Sequence, residues 1–181
     1  MNKDIECKKY RPQQEYTHSQ EFIDNLPYIV MAVVGSLILI LGFKLAILGW
    51  IFGVLYIIYC ITGTLWIIIF VCPYCQYFDT RSCPCGYGQI AVKFRPKNEE
   101  NMFMEKFNKH IPVIVPLWLI PVIAGITFLI FEFTLLMFLL TIVFGINSFI
   151  VLPLLSRKYG CAHCPQKDDC PWMGKNALMN M

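Results

Sequence analysis

The sequence predicts an all-α membrane protein with four transmembrane helices, arranged as two hairpins, and a small cysteine-rich module on one aqueous face. Three observations predict this class. Hydrophobic residues make up 57% of the 181 residues and charged residues only 15%, whereas soluble domains are about half apolar and a quarter charged. Four uncharged segments are long enough to cross a bilayer, and eight of the nine cysteines lie outside them.

The four uncharged segments are predicted to be transmembrane helices. A helix needs roughly 20 apolar residues to cross a bilayer, with a range of about 17–25, and soluble helices of that length are rarely apolar on every face. The segments run from Leu26 to Phe43, from Leu45 to Val71, from Ile111 to Phe131 and from Phe133 to Ser156.

Short polar links join these segments in pairs. Lys44 separates the first two segments and Glu132 separates the last two, and links this short connect antiparallel helices. The sequence therefore predicts two helical hairpins. The chain divides into an N-terminal tail (1–25), the first hairpin (26–71), a cysteine-rich loop (72–110), the second hairpin (111–156) and a cysteine-rich C-terminal tail (157–181).

The distribution of basic residues predicts the orientation. Four spans place both tails and the loop on one side of the membrane. That side carries 14 of the 15 Lys and Arg residues: four before Leu26, six between Cys72 and His110, and four after Ser156. Because basic loops stay in the cytoplasm, we expect a multi-pass membrane protein with cytoplasmic N- and C-termini. The net charge of +3 is too small to indicate a nucleic-acid partner.

The membrane segments carry little chemistry of their own. They contain no His, Asp, Arg or Lys, so they offer neither a histidine pair for haem nor an ionisable path for protons. Gly49 and Gly53 are spaced to allow close helix contact, and Asn147 and Ser148 are expected to hydrogen-bond to a neighbouring helix. Pro121 is expected to kink the third helix. The membrane part is therefore predicted to be an anchor.

Seven cysteines and one histidine form two clusters at the predicted cytoplasmic face. They are Cys72, Cys75, Cys83 and Cys85 in the loop, and Cys161, His163, Cys164 and Cys170 in the C-terminal tail. Structural disulfides are rare in the cytoplasm, so clustered cysteines there indicate a metal-binding module or redox thiols.

Each cluster begins with a Cys-x-x-Cys pair, which can grip one ion through two thiolates, and two such pairs complete a tetrahedron. The pair in the loop can share an ion with the pair in the tail, or each cluster can close a site of its own. The loop has four thiols, whereas the tail has three and needs His163, His110 or Cys7 as its fourth ligand. One or two metal sites are therefore expected.

The metal is expected to be an iron–sulfur cluster or zinc, since tetrahedral thiolates suit both. The spacing Cys161-x₂-Cys164-x₅-Cys170 resembles part of the 4Fe–4S ligand run of helix-hairpin-helix DNA glycosylases and auxiliary-cluster loops of radical enzymes. This ten-residue resemblance implies a cluster and no glycosylase activity, and Leu154 stands where that family has its first ligand. Cysteine followed by proline also ends ferredoxin ligand runs, whereas Cys83-Pro-Cys85-Gly86 fits a zinc knuckle. The sequence favours iron–sulfur slightly.

A redox role for the thiols is the competing interpretation. Cys72-Pro-Tyr-Cys75 resembles the dithiol of glutaredoxins, which implies that Cys72 is the nucleophile. Glutaredoxins place this motif between a strand and a helix, whereas here it follows a membrane helix. Four-helix thiol–quinone oxidoreductases are a further comparison, but their working thiols face the oxidising side of the membrane.

Two further elements are predicted in the loop. Residues 89–95 alternate in part between apolar and polar side chains, which favours a short strand. Residues 98–110 are predicted to form an amphipathic helix against the headgroups, with Lys109 and His110 at its end. We expect His110 to be an interface residue rather than a ligand.

Three functions fit these features. The first is a small membrane subunit with a cytoplasmic-face metal centre, which transfers electrons within, or anchors, a complex with other subunits. The second is a non-catalytic membrane adaptor with a structural zinc module. The third is a membrane thiol–disulfide oxidoreductase that uses Cys72 and Cys75. The chain has no phosphate-binding glycine loop and no nucleophile elbow, and membrane lipid is its predicted surrounding.

Overall fold

The computed structural model describes residues 15–161, with side chains for residues 15–158, and all regular structure in this part of the chain is helical. Four segments are long and apolar enough to cross a membrane, with mean hydropathies between 2.1 and 2.5. They are His18–Gly42, Ala46–Tyr74, Glu100–Phe131 and Leu135–Lys158. The prediction of four membrane-spanning helices is therefore confirmed, and the chain has the architecture of a multi-pass membrane protein.

The first span is helix α1 (His18–Gly42), which begins earlier than the predicted Leu26. A reciprocal capping box explains the early start, because the Thr17 side chain accepts from the Gln20 backbone and the Gln20 side chain accepts from the Thr17 backbone. Residues 18–25, expected as part of a polar tail, are therefore the first two turns of α1.

The second span is helix α2 (Ala46–Phe70), and it packs closely against α1. A Cβ atom on Gly49 would lie 2.3 Å from the Ile40 carbonyl oxygen, and one on Gly53 would lie 2.5 Å from the Ile40 side chain. Only glycine lets the two backbones come this close. The close contact predicted from the Gly49 and Gly53 spacing is confirmed.

The third span is built from several short elements and one long helix. A 3₁₀ turn (Glu100–Met102) leads into α4 (Phe103–His110), and a second 3₁₀ turn (Ile111–Val113) leads into α5 (Val115–Phe131). The amphipathic helix expected over residues 98–110 is present, although its regular part begins at Glu100.

Two tyrosines of α2 cap backbone carbonyls in the third span. Pro121 has no backbone N–H, so the carbonyl of Leu117 lacks its usual helical donor. The Tyr56 hydroxyl donates to that carbonyl at 2.7 Å, and the Tyr59 hydroxyl donates to the Val113 carbonyl at 2.5 Å. Because no water is available inside a bilayer, these bonds satisfy groups that would otherwise be costly.

The fourth span changes its helical form halfway. Helix α6 (Leu135–Ile146) continues as a π-helical turn (Asn147–Val151), then α7 (Leu152–Leu155) and a second π-helical turn (Ser156–Cys161). Pro153 lies in this irregular half, and such bulges accommodate a missing N–H. Asn147 Nδ2 donates to the Pro27 carbonyl of α1 at 2.9 Å, as predicted. Ser148 is buried, but its hydroxyl has no partner within residues 15–161.

One apolar core joins the four spans. It contains the least exposed residues of the bundle, and two of them, Ile38 and Phe144, are 0% exposed. The core residues are Met31, Ile38, Leu39, Tyr56, Leu117, Met137, Phe144 and Leu152. Most other large apolar side chains of the helices point outward, as lipid-facing residues do.

The strand predicted over residues 89–95 is wrong. These residues instead lie in helix α3 (Tyr87–Ala91) and the turn that follows it. The N–H groups of Lys93 and Phe94 bond to the carbonyls of Ile90 and Ala91. A lone strand cannot satisfy its backbone groups, and the described residues form no other strand that could pair with it.

Candidate metal centre in the cysteine-rich loop

The cysteine-rich loop starts directly at the end of α2. Pro73 interrupts the helix after Phe70, and Cys72–Tyr74 form a 3₁₀ turn. The Pro73 carbonyl accepts a hydrogen bond from the Asn98 backbone at 2.9 Å. This hydrogen bond joins the two ends of the segment 73–98, and all of the loop cysteines except Cys72 lie within that segment.

The two Cys-Pro turns of the loop pack against each other through a glycine. A Cβ atom on Gly88 would lie 2.3 Å from the Tyr77 carbonyl oxygen, and the Asp79 N–H donates to the Gly88 carbonyl at 3.3 Å. The Tyr77 N–H points at Cys75 Sγ, and the Gly88 N–H points at Cys83 Sγ, at 3.5 and 3.4 Å. Hydrogen bonds to sulfur are among the features that tune iron–sulfur clusters.

Cys83 has the partly buried thiol of the second Cys-Pro turn, and the Gly88 N–H points at its sulfur. Gly86, at φ 73°, has the left-handed conformation that glycine adopts without strain, and it lets the chain turn back over the thiol. Burial raises the pKa of the Cys83 thiol, and the backbone N–H groups of Gly88, Cys85, Tyr87 and Gly86 oppose that rise. Such a nest stabilises an anion, and a bound cation would complete the compensation.

Tyr87 is partly buried and lies within electrostatic reach of three loop thiols. Burial raises the pKa of Tyr87, and the neighbouring Cys85, Tyr28, Cys72 and Cys83 raise it further. Cys72 of the first Cys-Pro turn and Cys83 and Cys85 of the second therefore act electrostatically on the same side chain. Tyr87 and Cys72 also pack on a small buried cluster made by Ile68, Phe78 and Ala91.

The first turns of α1 close the loop from the other side. The Tyr16 N–H donates to the Arg81 carbonyl at 2.9 Å, and Asn25 Nδ2 donates to the Cys85 carbonyl at 3.0 Å. Burial raises the pKa of Tyr16, and the neighbouring Asp24, Cys83 and Cys85 raise it further. The sequence interpretation missed these residues, although the Thr17-x-x-Gln20 capping signature could have placed a helix there.

The structure describes the predicted ligands of the loop but almost none of those of the tail. Cys72, Cys75, Cys83 and Cys85 lie together in the loop, and no disulfide joins them. The backbone of Cys161 ends the last π-helical turn. The side chain of Cys161 and the whole of Cys7, His163, Cys164 and Cys170 lie outside the described residues.

His110 packs against aromatic residues at the end of α2. Its ring stacks on Phe70 with 5.3 Å between centroids, and its Nδ1 accepts from Trp66 Nε1 at 3.2 Å. This position at the end of α2 suits the interface role predicted for it.

Within residues 15–161, no three His, Cys, Asp or Glu side chains are arranged as a site for a metal ion. The loop thiols are therefore not in place as metal ligands. A metal site in this loop requires either movement of these thiols or ligands from beyond residue 161. No protein family, curated protein or solved structure matched the chain.

Proposed function

We propose that this protein is a small membrane subunit whose cysteine-rich loop binds a metal centre and exchanges electrons with other subunits of a membrane complex. An iron–sulfur cluster is the proposed metal centre in preference to zinc. The observation that carries the proposal is the pair of backbone N–H groups, those of Tyr77 and Gly88, that point at Cys75 Sγ and Cys83 Sγ in a loop with four thiols that no disulfide joins. Hydrogen bonds to sulfur and partial burial are the features by which proteins set cluster potentials.

The environment of the thiols supports ligation over thiol exchange. A reactive cysteine needs an accessible thiol with a lowered pKa. Burial instead raises the pKa of Cys83, and Cys72 packs against the Ile68, Phe78 and Ala91 cluster. Partly buried thiols in a nest of N–H groups suit a bound cation better than attack on an external disulfide.

The proposal includes the membrane topology. We place the four spans as two hairpins, so that the cysteine-rich loop and the C-terminal tail share the cytoplasmic face with the N-terminus. The tail cluster at Cys161, Cys164 and Cys170 then follows the fourth span at the same face as the loop. Either one shared site or two separate sites fit this arrangement.

The test is anaerobic purification of the full chain with measurement of iron, acid-labile sulfide and zinc, together with an absorption spectrum. We expect iron and sulfide in matching amounts and a broad visible absorption. Cys83→Ser should lower the metal content strongly, because it removes the thiol held by the backbone nest. Cys60→Ser is the matched control, because Cys60 lies within α2 among the bundle residues, and it should keep the metal content of the parent.

The other outcomes separate the alternatives. Zinc without visible absorption would replace electron transfer with the adaptor function. Absence of metal, with thiols that titrate and with disulfide exchange that depends on Cys72 and Cys75, would replace both with the oxidoreductase. An equal loss of metal in Cys83→Ser and Cys60→Ser would show that the loop is not the site.

A further inference from the structure

Three aromatic side chains form a row where α2 leaves the membrane. Trp66 and Phe70 lie one turn apart on one face of α2. Tyr74 follows four residues later, at the end of the 3₁₀ turn Cys72–Tyr74. The Trp66 and Phe70 rings are 4.4 Å apart between centroids. Aromatic residues of this kind are typical of the boundary between the hydrocarbon core and the headgroups.

Each ring of the row carries a basic side chain from the loop or from α4. The Arg95 guanidinium lies 5.0 Å from the centroid of Phe70, and Lys106 Nζ lies 5.8 Å from the centroid of Tyr74. His110 stacks on Phe70 and also contacts Trp66. Three donors from two separate segments are thus gathered at one level of the membrane.

Two of these donors have no acceptor in the described part of the chain. Arg95 contacts the Phe70 ring and joins none of the ion pairs among residues 15–158. Since His110 Nδ1 accepts from Trp66 Nε1, the proton of the neutral ring is on Nε2. Among the same residues, that N–H meets no acceptor. An anionic group would satisfy both donors.

The surroundings identify where that anion comes from. Just before Arg95 in the sequence, Ile90, Val92 and Phe94 are 41%, 43% and 52% exposed, and Lys93 is exposed between the last two. Exposed apolar side chains alternating with basic ones suit insertion into the headgroup layer. A phosphate group at this depth belongs to a lipid of the same leaflet.

We propose that Arg95, His110 and Lys106, held on the aromatic row of Trp66, Phe70 and Tyr74, bind the phosphate headgroup of an acidic phospholipid. Arg95 forms the fork that a phosphate oxygen pair accepts, His110 donates from Nε2, and Lys106 adds positive charge. The site is independent of the metal centre, because none of the loop cysteines takes part in it.

The test is native mass spectrometry of the full chain in detergent, titrated with phosphatidylglycerol or phosphatidylcholine. We expect tighter binding of phosphatidylglycerol, and we expect Arg95→Gln to weaken that binding about fivefold, the usual effect of one basic residue near an anionic headgroup. Arg95→Lys keeps the charge but loses the planar fork, so its affinity should fall between those two. Lys106 Nζ also contacts Glu105 Oε1 at 3.2 Å, so Lys106→Gln should weaken binding less than Arg95→Gln does.

Lys44→Gln is the matched control. It removes the same charge at a boundary residue, but Lys44 already pairs with Glu132 at 2.8 Å and lies in the other link, so the affinity should stay unchanged. Equal affinities for the two lipids, or equal effects of Arg95→Gln and Lys44→Gln, would overturn the proposal. Displacement of phosphatidylglycerol by millimolar inorganic phosphate would assign the site to a soluble anion and overturn the lipid site too.

Discussion

The membrane bundle and the cysteine-rich loop are held together in different ways. The bundle has a core to which all four spans contribute, together with hydrogen bonds from side chains to backbone carbonyls across helices. The loop has a buried apolar cluster of only Ile68, Phe78 and Ala91, and the first of these belongs to α2. A cluster this small supplies little hydrophobic stabilisation. The loop therefore depends on its neighbours and, in our proposal, on a metal.

Two glycines make equally close backbone contacts, one in the bundle and one in the loop. A Cβ atom on Gly49 in the bundle would lie 2.3 Å from the Ile40 carbonyl oxygen, and one on Gly88 in the loop would lie 2.3 Å from the Tyr77 carbonyl oxygen. The contacts are equally tight, but the first joins two spans and the second joins two turns of the loop. The same substitution should therefore damage different properties in the two places.

The largest expected effect is the response of the loop to metal removal. Binding of a structural metal contributes on the order of 10 kcal/mol to the folding free energy of small metal modules. Removal of the metal by a strong chelator should therefore unfold the loop. We expect backbone amides such as those of Tyr77 and Gly88 to lose protection in hydrogen exchange, while amides in the middle of α2 keep theirs. Equal protection before and after chelation would mean that the loop is ordered by its protein contacts alone.

The second prediction compares Gly49→Ala with Gly88→Ala. Overpacking a tight contact costs about 1–3 kcal/mol, so Gly49→Ala should lower the free energy of unfolding of the bundle, measured by denaturant titration in detergent with circular dichroism. Gly88→Ala should leave that free energy nearly unchanged and lower the metal affinity instead.

Gly145→Ala is the control for this comparison. Among the described residues, a Cβ placed on Gly145 meets no atom within 4 Å beyond its chain neighbours and its own helix backbone, and alanine is the better helix former by about 1 kcal/mol. The substitution should therefore be neutral or slightly stabilising. If Gly145→Ala were as harmful as Gly49→Ala, helix contact would not be the cause of either loss.

The membrane half of the fold could be predicted from the sequence because apolar length is a local property. The uncharged segments predicted to end at Phe43 and Val71 needed no knowledge of the rest of the chain, and their helices end at Gly42 and Phe70. The Gly49 and Gly53 spacing indicated that close packing was possible. The early start of α1 was missed, since the polar residues 18–25 carry no membrane signal and their helix is explained by the Thr17 cap.

The candidate site could be predicted only in part, because its geometry depends on contacts between distant segments. The clustering of cysteines in sequence indicated the loop, but the contacts of Tyr16 and Asn25 with it bridge about 60 residues. The alternation in residues 89–95 predicted a strand, whereas Ala91 packs into the small loop cluster as part of a helix. Short apolar segments do not distinguish the two by pattern alone.

The third prediction concerns the hydrogen bond from the Tyr56 hydroxyl to the Leu117 carbonyl. Tyr56→Phe removes the only described donor to the Leu117 carbonyl that Pro121 leaves unpaired. Hydrogen bonds between membrane helices contribute about 0.6 kcal/mol on average and up to about 1.7, and we expect a loss near the upper value because the acceptor stays buried without a partner. The loss should appear in the same denaturant titration.

Pro121→Ala provides the check on this cause. Alanine restores an N–H at position 121 that can bond to the Leu117 carbonyl, so Tyr56→Phe should cost less in the Pro121→Ala background than in the parent. Identical costs in the two backgrounds would show that Tyr56 stabilises the bundle through its packing and not through the carbonyl.

The smallest expected effect is at the opposite end of the bundle, where Lys44 Nζ and Glu132 Oε1 lie 2.8 Å apart and join the two short links. Their side chains are 77% and 64% exposed, and exposed pairs contribute about 0–1 kcal/mol. Lys44→Gln and Glu132→Gln should each lower the free energy of unfolding within that range, and the double variant should lose no more than the larger single loss. High salt should remove the difference, because it screens exposed charges. A coupling energy above about 2 kcal/mol that persists in high salt would contradict this expectation. It would mean that the ion pair between the links, and not only the apolar core, aligns the first two spans with the last two.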